Sequence, residues 1–252
     1  MKLERQQRYF CNKQHVIDFF KDKTVAIVGS GPGSLKNKQG YIDSHDVVVR
    51  VNNYKLFLQT GFRTDVFYSF FGTSIRKNVQ ILKRDGVRLC MAKCPNSKPI
   101  RSAWHEQNGK LLGVDYRYIY DVRSQWWFCP TYVPTDEEFL AHFNLLDRHV
   151  PTTGFSAILD VLSCSPKSLY ITGFDFFSSG IHNVNESWKA GNPADPIGHK
   201  PELEIEWLRQ NMEHYPIYVD ATLASVMEKT YAKRETKSLL YPPVTIGNKR
   251  VA

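Results

Sequence analysis

Along the chain, short apolar runs alternate with stretches in which apolar positions recur every three or four residues. Runs of the first kind read as strands, the second as amphipathic helices. Thr24–Val28 is almost wholly apolar, as expected of a strand buried on both faces of a parallel sheet. Further strands are predicted over Asp46–Val51, Thr64–Phe71, Val87–Ala92, Arg117–Val122, Ser168–Thr172 and Ile217–Val219. Helices are predicted over Gln14–Lys21, Arg76–Arg84, Thr135 to about Arg148, Thr152–Ser163, Glu202–Asn211 and Ala221–Lys229. Thr135-Asp-Glu-Glu138 has the form of a capping box. Pro95–Asp115 carries no clear period and reads as irregular.

Strand and helix in alternation imply an α/β fold, a mostly parallel sheet flanked by helices. In such sheets ligands bind at the carboxyl ends of the strands. Gly29–Lys36, Asn52-Asn53, Ser69–Thr73 and Gly173–Asp175 all fall at that edge of the predicted strands. The polar stretch Ile181–Gly198 is longer than a connection needs and is expected to be a functional, lid-like loop, about 178–198. Residues 1–230 are expected to form a single domain and 231–252 a basic C-terminal tail.

The chain has 252 residues, 42% of them hydrophobic and 13% aromatic, which suffices for one substantial core. It has no run of about 18 apolar residues, so no membrane-spanning helix is expected, and the N-terminus lacks the apolar stretch of a signal peptide. The formal net charge is +8. The basic residues are scattered, densest at Lys229, Lys233, Arg234, Lys237, Lys249 and Arg250. With no nucleic-acid motif beside them, they imply a solvated surface or peripheral contact with an anionic membrane. The five cysteines lack a CxxC pair or histidine partners in metal-ligand spacing and read as buried free thiols.

Gly29-Ser-Gly-Pro-Gly-Ser34 follows the first strand directly. Glycines there let backbone approach a phosphate and turn N–H groups toward it. It is not a dinucleotide fingerprint, which needs Gly where Ser34 stands, nor a P-loop, since no Gly-Lys-Ser/Thr follows. The second strand ends in Asn52 rather than an acidic residue, a further mark against an NAD-dependent oxidoreductase.

Val25–Lys36, continued by Ile42-Asp-Ser-His-Asp46 and Arg50-x-Asn52, resembles the large sialylmotif of the family 29 sialyltransferases. Gly31-Pro-Gly-Ser-Leu35 and Thr64-Asp-Val-Phe-Tyr68 are similar to the bacterial family 42 enzymes. Pro151-Thr-Thr-Gly154, Cys164 and Tyr170-Ile-Thr-Gly-Phe174 resemble the small sialylmotif, and His199-x4-Glu204 the very small one. Gly173–Phe177 and Ile197-Gly-His199 resemble the matching stretches of family 42. The likeness spans about residues 24–229 in conserved order.

That resemblance implies a Rossmann-like, GT-A-like sialyltransferase fold. It implies an inverting glycosyltransferase that needs no metal or other cofactor and moves a 2-keto acid sugar from a CMP-activated donor to a glycan or glycolipid hydroxyl. The sugar would be sialic acid, or alternatively Kdo going to lipopolysaccharide or capsule glycan. Gly29, Ser30, Gly31, Asn52, Thr152, Thr153, Gly154, Gly173 and Phe174 would line the donor pocket. His199 would be the general base and His182 the partner of the departing phosphate, with Arg50 and Lys36 in reserve. Phe177 stands where family 42 has the first of two tyrosines, which leaves room for a non-catalytic binder that kept the pocket. Animal family 29 enzymes bridge their large and small motifs by a disulfide; here Cys164 is present but the partner position is Val25. That implies a cytoplasmic enzyme, peripheral on the inner membrane face.

Overall fold

The computed structural model describes residues 10–71, 75, 77–95, 128–178 and 199–232. The strand expected at Arg117–Val122, most of the 95–115 stretch, the lid-like loop beyond residue 178 and the tail from 233 lie outside them.

Seven strands form one sheet: β1 (Thr24–Val28), β2 (Val47–Val51), β3 (Val66–Ser69), β4 (Leu89–Ala92), β5 (Thr131–Tyr132), β6 (Ser168–Thr172) and β7 (Ile217–Val219). Their order is β5-β4-β3-β2-β1-β6-β7, and every pairing is parallel. β5 escaped the sequence reading because two residues are too few for any period to show. The helices are α1 (Lys13–Phe20), α2 (Val79–Arg84), α3 (Asp136–Leu145), α4 (Thr153–Leu162), α5 (Pro201–Asn211) and α6 (Ala221–Ala232). The predicted capping box is formed, with Thr135 accepting from the Glu138 N–H and Glu138 accepting from that of Thr135. α3 stops at Leu145, short of Arg148, because Asp147 and Arg148 both take left-handed backbone, φ +50 and +63.

The strand order reverses between β1 and β6, which makes the carboxyl ends of those two strands the natural crevice. Alternate strand residues face opposite sides of the sheet. One side, with Val25, Ile27, Val49, Tyr68, Met91 and Ile171, packs on α1, α4, α5 and α6. The other side carries Ala26, Val28, Val48 and Tyr170, covered by Ile42 from the β1–β2 connection. That connection and the one from β2 to β3 contain no α-helix, only the 3₁₀ turns Pro32–Lys36 and Ile42–Ser44 and a loop.

α4 is buried almost along its whole length and still carries a carboxylate. Asp160 is 2% exposed, and the fully buried Tyr68 hydroxyl donates to it at 2.6 Å. Burial, then the neighbouring carboxylate, drives the Tyr68 pKa well above its usual value, so the phenol stays a donor. All five cysteines are free thiols, and four are buried. Among the described residues no helix is long and apolar enough to cross a membrane. Tyr68→Phe would strip a buried carboxylate of its donor. We expect a loss of about 1–3 kcal/mol in stability, read as a lower urea midpoint at unchanged slope.

Candidate active site at the carboxyl edge

The turn after β1 and the turn after β6 lie backbone against backbone. The Gly29 N–H donates to the Thr172 carbonyl at 2.8 Å, and the Gly31 N–H to that of Gly173 at 2.8 Å. A Cβ on Gly29 would sit 2.4 Å from the Gly173 oxygen, and one on Gly31 2.8 Å from it. Gly173 itself has φ +74, which an L side chain seldom adopts. These glycines are therefore required for two turns to touch. Two of the N–H groups expected to face a phosphate are instead spent on the β6 turn. A short 3₁₀ turn, Pro32–Lys36, follows Gly31, where a dinucleotide-binding turn would run into a full helix.

The ring of Phe174 fills the space between β1 and α4. A Cβ on Gly29 would come within 3.0 Å of it, and one on Gly154 within 2.1 Å. Gly154 lies in the first turn of α4, whose opening N–H groups at Thr153 and Gly154 have no acceptor within the helix. Thr152 is the N-cap, its hydroxyl accepting from the Phe155 N–H at 3.2 Å. Glu204, fully buried, takes the Thr152 N–H at 2.5 Å and its hydroxyl at 2.8 Å. Glu204 thereby ties α5 to the head of α4. Thr152 is accordingly occupied as a cap and clasp, so an anion there would meet Thr153 and Gly154.

His199 precedes α5 and is half-buried. Its Nδ1 lies 2.6 Å from the Val150 carbonyl oxygen. A carbonyl only accepts, so Nδ1 carries the proton and Nε2 is the basic nitrogen of the neutral ring. Two contacts thus staple residues 199–204 to 150–152, one through the imidazole and one through Glu204.

Asn52 ends β2 with φ +51, a left-handed backbone that asparagine tolerates better than most residues. Its Oδ1 accepts from the Ser69 hydroxyl at 3.1 Å, which aims the amide at the same edge. Ser30 and Thr153 are half-buried there. Thus Gly29, Ser30, Gly31, Asn52, Thr152, Thr153, Gly154, Gly173, Phe174 and His199 share the carboxyl edge; His182 lies outside the described residues. Arg50 is not part of this group. It is fully buried, its Nε and Nη2 donate to the Arg63 and Thr60 carbonyls at 2.8 and 2.7 Å, and burial lowers its pKa to about 10. Lys36 is exposed.

Asp220 was missed. Its carboxylate accepts from the Thr172 hydroxyl and the Gly173 N–H at 2.7 and 2.9 Å on one oxygen, and from the Leu223 N–H at 2.8 Å on the other. It shapes the β6 turn and caps α6 at once; an Asp between a strand and a helix is a legible N-cap signal. Nothing in the sequence signalled the left-handed backbone at Phe71, Phe176 and Phe177, with φ +53, +48 and +65 after β3 and β6. Bulky residues held there are strained, and such strain gathers at functional sites. Among the described residues no group of three or more His, Cys, Asp or Glu is placed to hold a metal ion.

The architecture is shared with solved sialyltransferase structures. One is the sialyltransferase CstII from Campylobacter jejuni in complex with the substrate analogue CMP-3FNeuAc, at 18% identity and TM-score 0.53, covering 78% of this chain and 81% of that one. The sialyltransferase CST-II with trisaccharide acceptor and CMP matches at 17% identity and TM-score 0.51, covering 77% and 80%. A mammalian sialyltransferase in complex with Gal-beta-1-3GalNAc-ortho-nitrophenol matches at 16% and 0.51, covering 86% and 77%. At these identities the likeness is one of fold. No protein-family profile matches the sequence, and no curated protein does.

Glu204→Ala leaves the Thr152 N–H and hydroxyl without their acceptor. The expected cost is about 1–3 kcal/mol in chemical denaturation, against about 0.5 kcal/mol or less for Ala at the exposed Glu202.

Proposed function

We propose that this chain is a glycosyltransferase that moves a 2-keto acid sugar, sialic acid, from a CMP-activated donor to a glycan hydroxyl with inversion and without a metal. The reading rests on one observation above the others: His199 stands at the carboxyl edge of this fold with Nδ1–H held by the Val150 carbonyl. A base must present an unprotonated nitrogen to the incoming alcohol, and this contact selects the tautomer that does so.

In the proposed reaction the acceptor oxygen attacks the anomeric carbon. Its proton passes to Nε2 of His199, the new C–O bond forms, and the bond to the CMP phosphate oxygen breaks. The anomeric carbon of a 2-keto acid sugar is substituted by a carboxylate and leaves readily as an oxocarbenium-like centre. The first turn of α4 supplies N–H donors and the positive end of the helix dipole for the phosphate. His182 is assigned as its further partner. Gly29, Gly31 and Gly173 hold the two turns together so that Ser30, Asn52 and Phe174 border the nucleoside. The net charge of +8 suits a cytoplasmic enzyme, peripheral on the inner membrane face, whose acceptor lies at an anionic surface.

Release of CMP is expected from CMP-sialic acid, not from UDP-sugars, and to the same extent with EDTA. Turnover of CMP-Kdo in its place would reassign the sugar and leave the site chemistry standing. His199→Ala should keep CMP affinity within a few fold while turnover falls about 10²-fold or more. Unchanged turnover would remove His199 from the reaction.

A further inference from the structure

Asp220 follows β7 and is buried, and its backbone N–H donates to the Ile171 carbonyl at 3.1 Å. Its carboxylate faces three donors: the Thr172 hydroxyl and the Gly173 N–H on Oδ2, and the Leu223 N–H on Oδ1. A helix cap needs only the last of these, and serine or asparagine would serve it as well. The other two belong to the end of β6 and its turn.

One oxygen thereby orders a chain of hydrogen bonds across the carboxyl edge. A carboxylate only accepts, so the Thr172 hydroxyl gives its single proton to Asp220. Thr172 Oγ1 is left as an acceptor and takes an N–H of the Asn37 amide at 2.9 Å. That sets which way the Asn37 amide faces. Its second N–H goes to the Ser34 carbonyl at 2.8 Å, and its Oδ1 accepts from the Tyr170 hydroxyl at 2.5 Å. Burial raises the Tyr170 pKa, so the phenol keeps the proton it donates. Thr172 and Ser34 are buried, so their polar groups depend on protein partners.

The chain joins three walls. Ser34 lies in the 3₁₀ turn after β1, and Asn37 closes that turn. Thr172 and Gly173 end β6, and their carbonyls receive the Gly29 and Gly31 N–H groups, both at 2.8 Å. α6 begins directly after Asp220. Gly33 packs on the carboxylate itself, since a Cβ there would lie 2.8 Å from Oδ2.

We infer that Asp220 is a positioning residue for the donor crevice, because its acceptance from Thr172 and Gly173 holds the turn after β6 against the glycine turn after β1. This deepens the transferase reading and rests on it for the identity of the ligand, CMP. Two acceptor oxygens must meet three donors, and an amide of the same shape cannot do so. With its oxygen on Leu223 it turns an NH₂ toward the Gly173 N–H; with its oxygen on Gly173 it turns the NH₂ toward the Leu223 N–H.

The test compares Asp220→Ser and Asp220→Asn with wild type. Serine keeps an oxygen for the α6 cap and leaves Gly173 and Thr172 without their acceptor. In the free protein, amide hydrogen exchange at Gly29, Gly31 and Gly173 should quicken about 10-fold or more in both variants. By titration calorimetry the CMP dissociation constant should rise about 10-fold or more. In turnover of CMP-sialic acid the donor KM should rise while the acceptor KM stays within about 2-fold. Asn12→Ala is the control. It removes the cap of α1, whose preceding Cys11 N–H binds the Thr131 carbonyl at the β5 end of the sheet, and should leave glycine exchange and CMP affinity as in wild type. Thr172→Val, which removes one link of the chain, should give a smaller loss in the same direction.

Wild-type exchange and CMP affinity in Asp220→Ser would reduce Asp220 to a helix cap and overturn the inference. Equal quickening of the glycines in Asn12→Ala would trace the effect to global stability and overturn it too. Should both Asp220 variants fail to fold, wild-type exchange and affinity in Thr172→Val would overturn it. If wild type does not bind CMP, the transferase reading falls and exchange at the glycines decides the role of Asp220.

Discussion

Glu204 is a carboxylate with no exposure, and its hydrogen bonds to the Thr152 N–H and hydroxyl hold the carboxyl edge in register. An anion buried this deeply survives only if its oxygens are met by donors. Thr152 is the cap of α4, so satisfying Glu204 sets where α5 begins. His199 lies just before that point, and its ring reaches the Val150 carbonyl two residues before the cap. The buried acid and the imidazole together hold residues 199–204 against residues 150–152.

The second constraint is steric. Gly29, Gly31, Gly154 and Gly173 let two turns, a helix head and the Phe174 ring occupy one small volume. Interiors pack without spare room, so a methyl group at any of these positions must displace backbone or ring. Left-handed backbone at Asn52, Phe71, Gly173, Phe176 and Phe177 recurs along the same edge. The strain sits where strands β2, β3 and β6 end, and the hydrogen-bonded sheet behind them sustains it.

Several residues that carry the family resemblance serve architecture. Asp43 anchors Phe62 and Arg63, and Arg50 carries the loop carbonyls, while Arg63, outside those motifs, reaches the carbonyls of Asp43, His45 and Asp46 and the Asp65 carboxylate. A motif recognised in the sequence therefore mixes groups that border the crevice with groups that merely brace it. Only coordinates separate Asn52, at the edge with left-handed backbone, from Arg50, two residues earlier within β2 and wholly buried.

Periodicity alone determined the strand β1, the alternation with helices, the capping box at Thr135 and the parallel sheet, because burial on two faces leaves a continuous apolar run that any reading detects. Order along the chain also put the glycine turn, Asn52 and Gly173 at strand ends. Tertiary structure decided what the polar atoms of those segments do. Hydrogen bonds between residues some 50 to 140 positions apart, such as Thr152 with Glu204 and Gly31 with Gly173, leave no period in the sequence. They converted two expected phosphate donors into packing contacts, made a helix residue the clasp of the site, and fixed which nitrogen of His199 is basic.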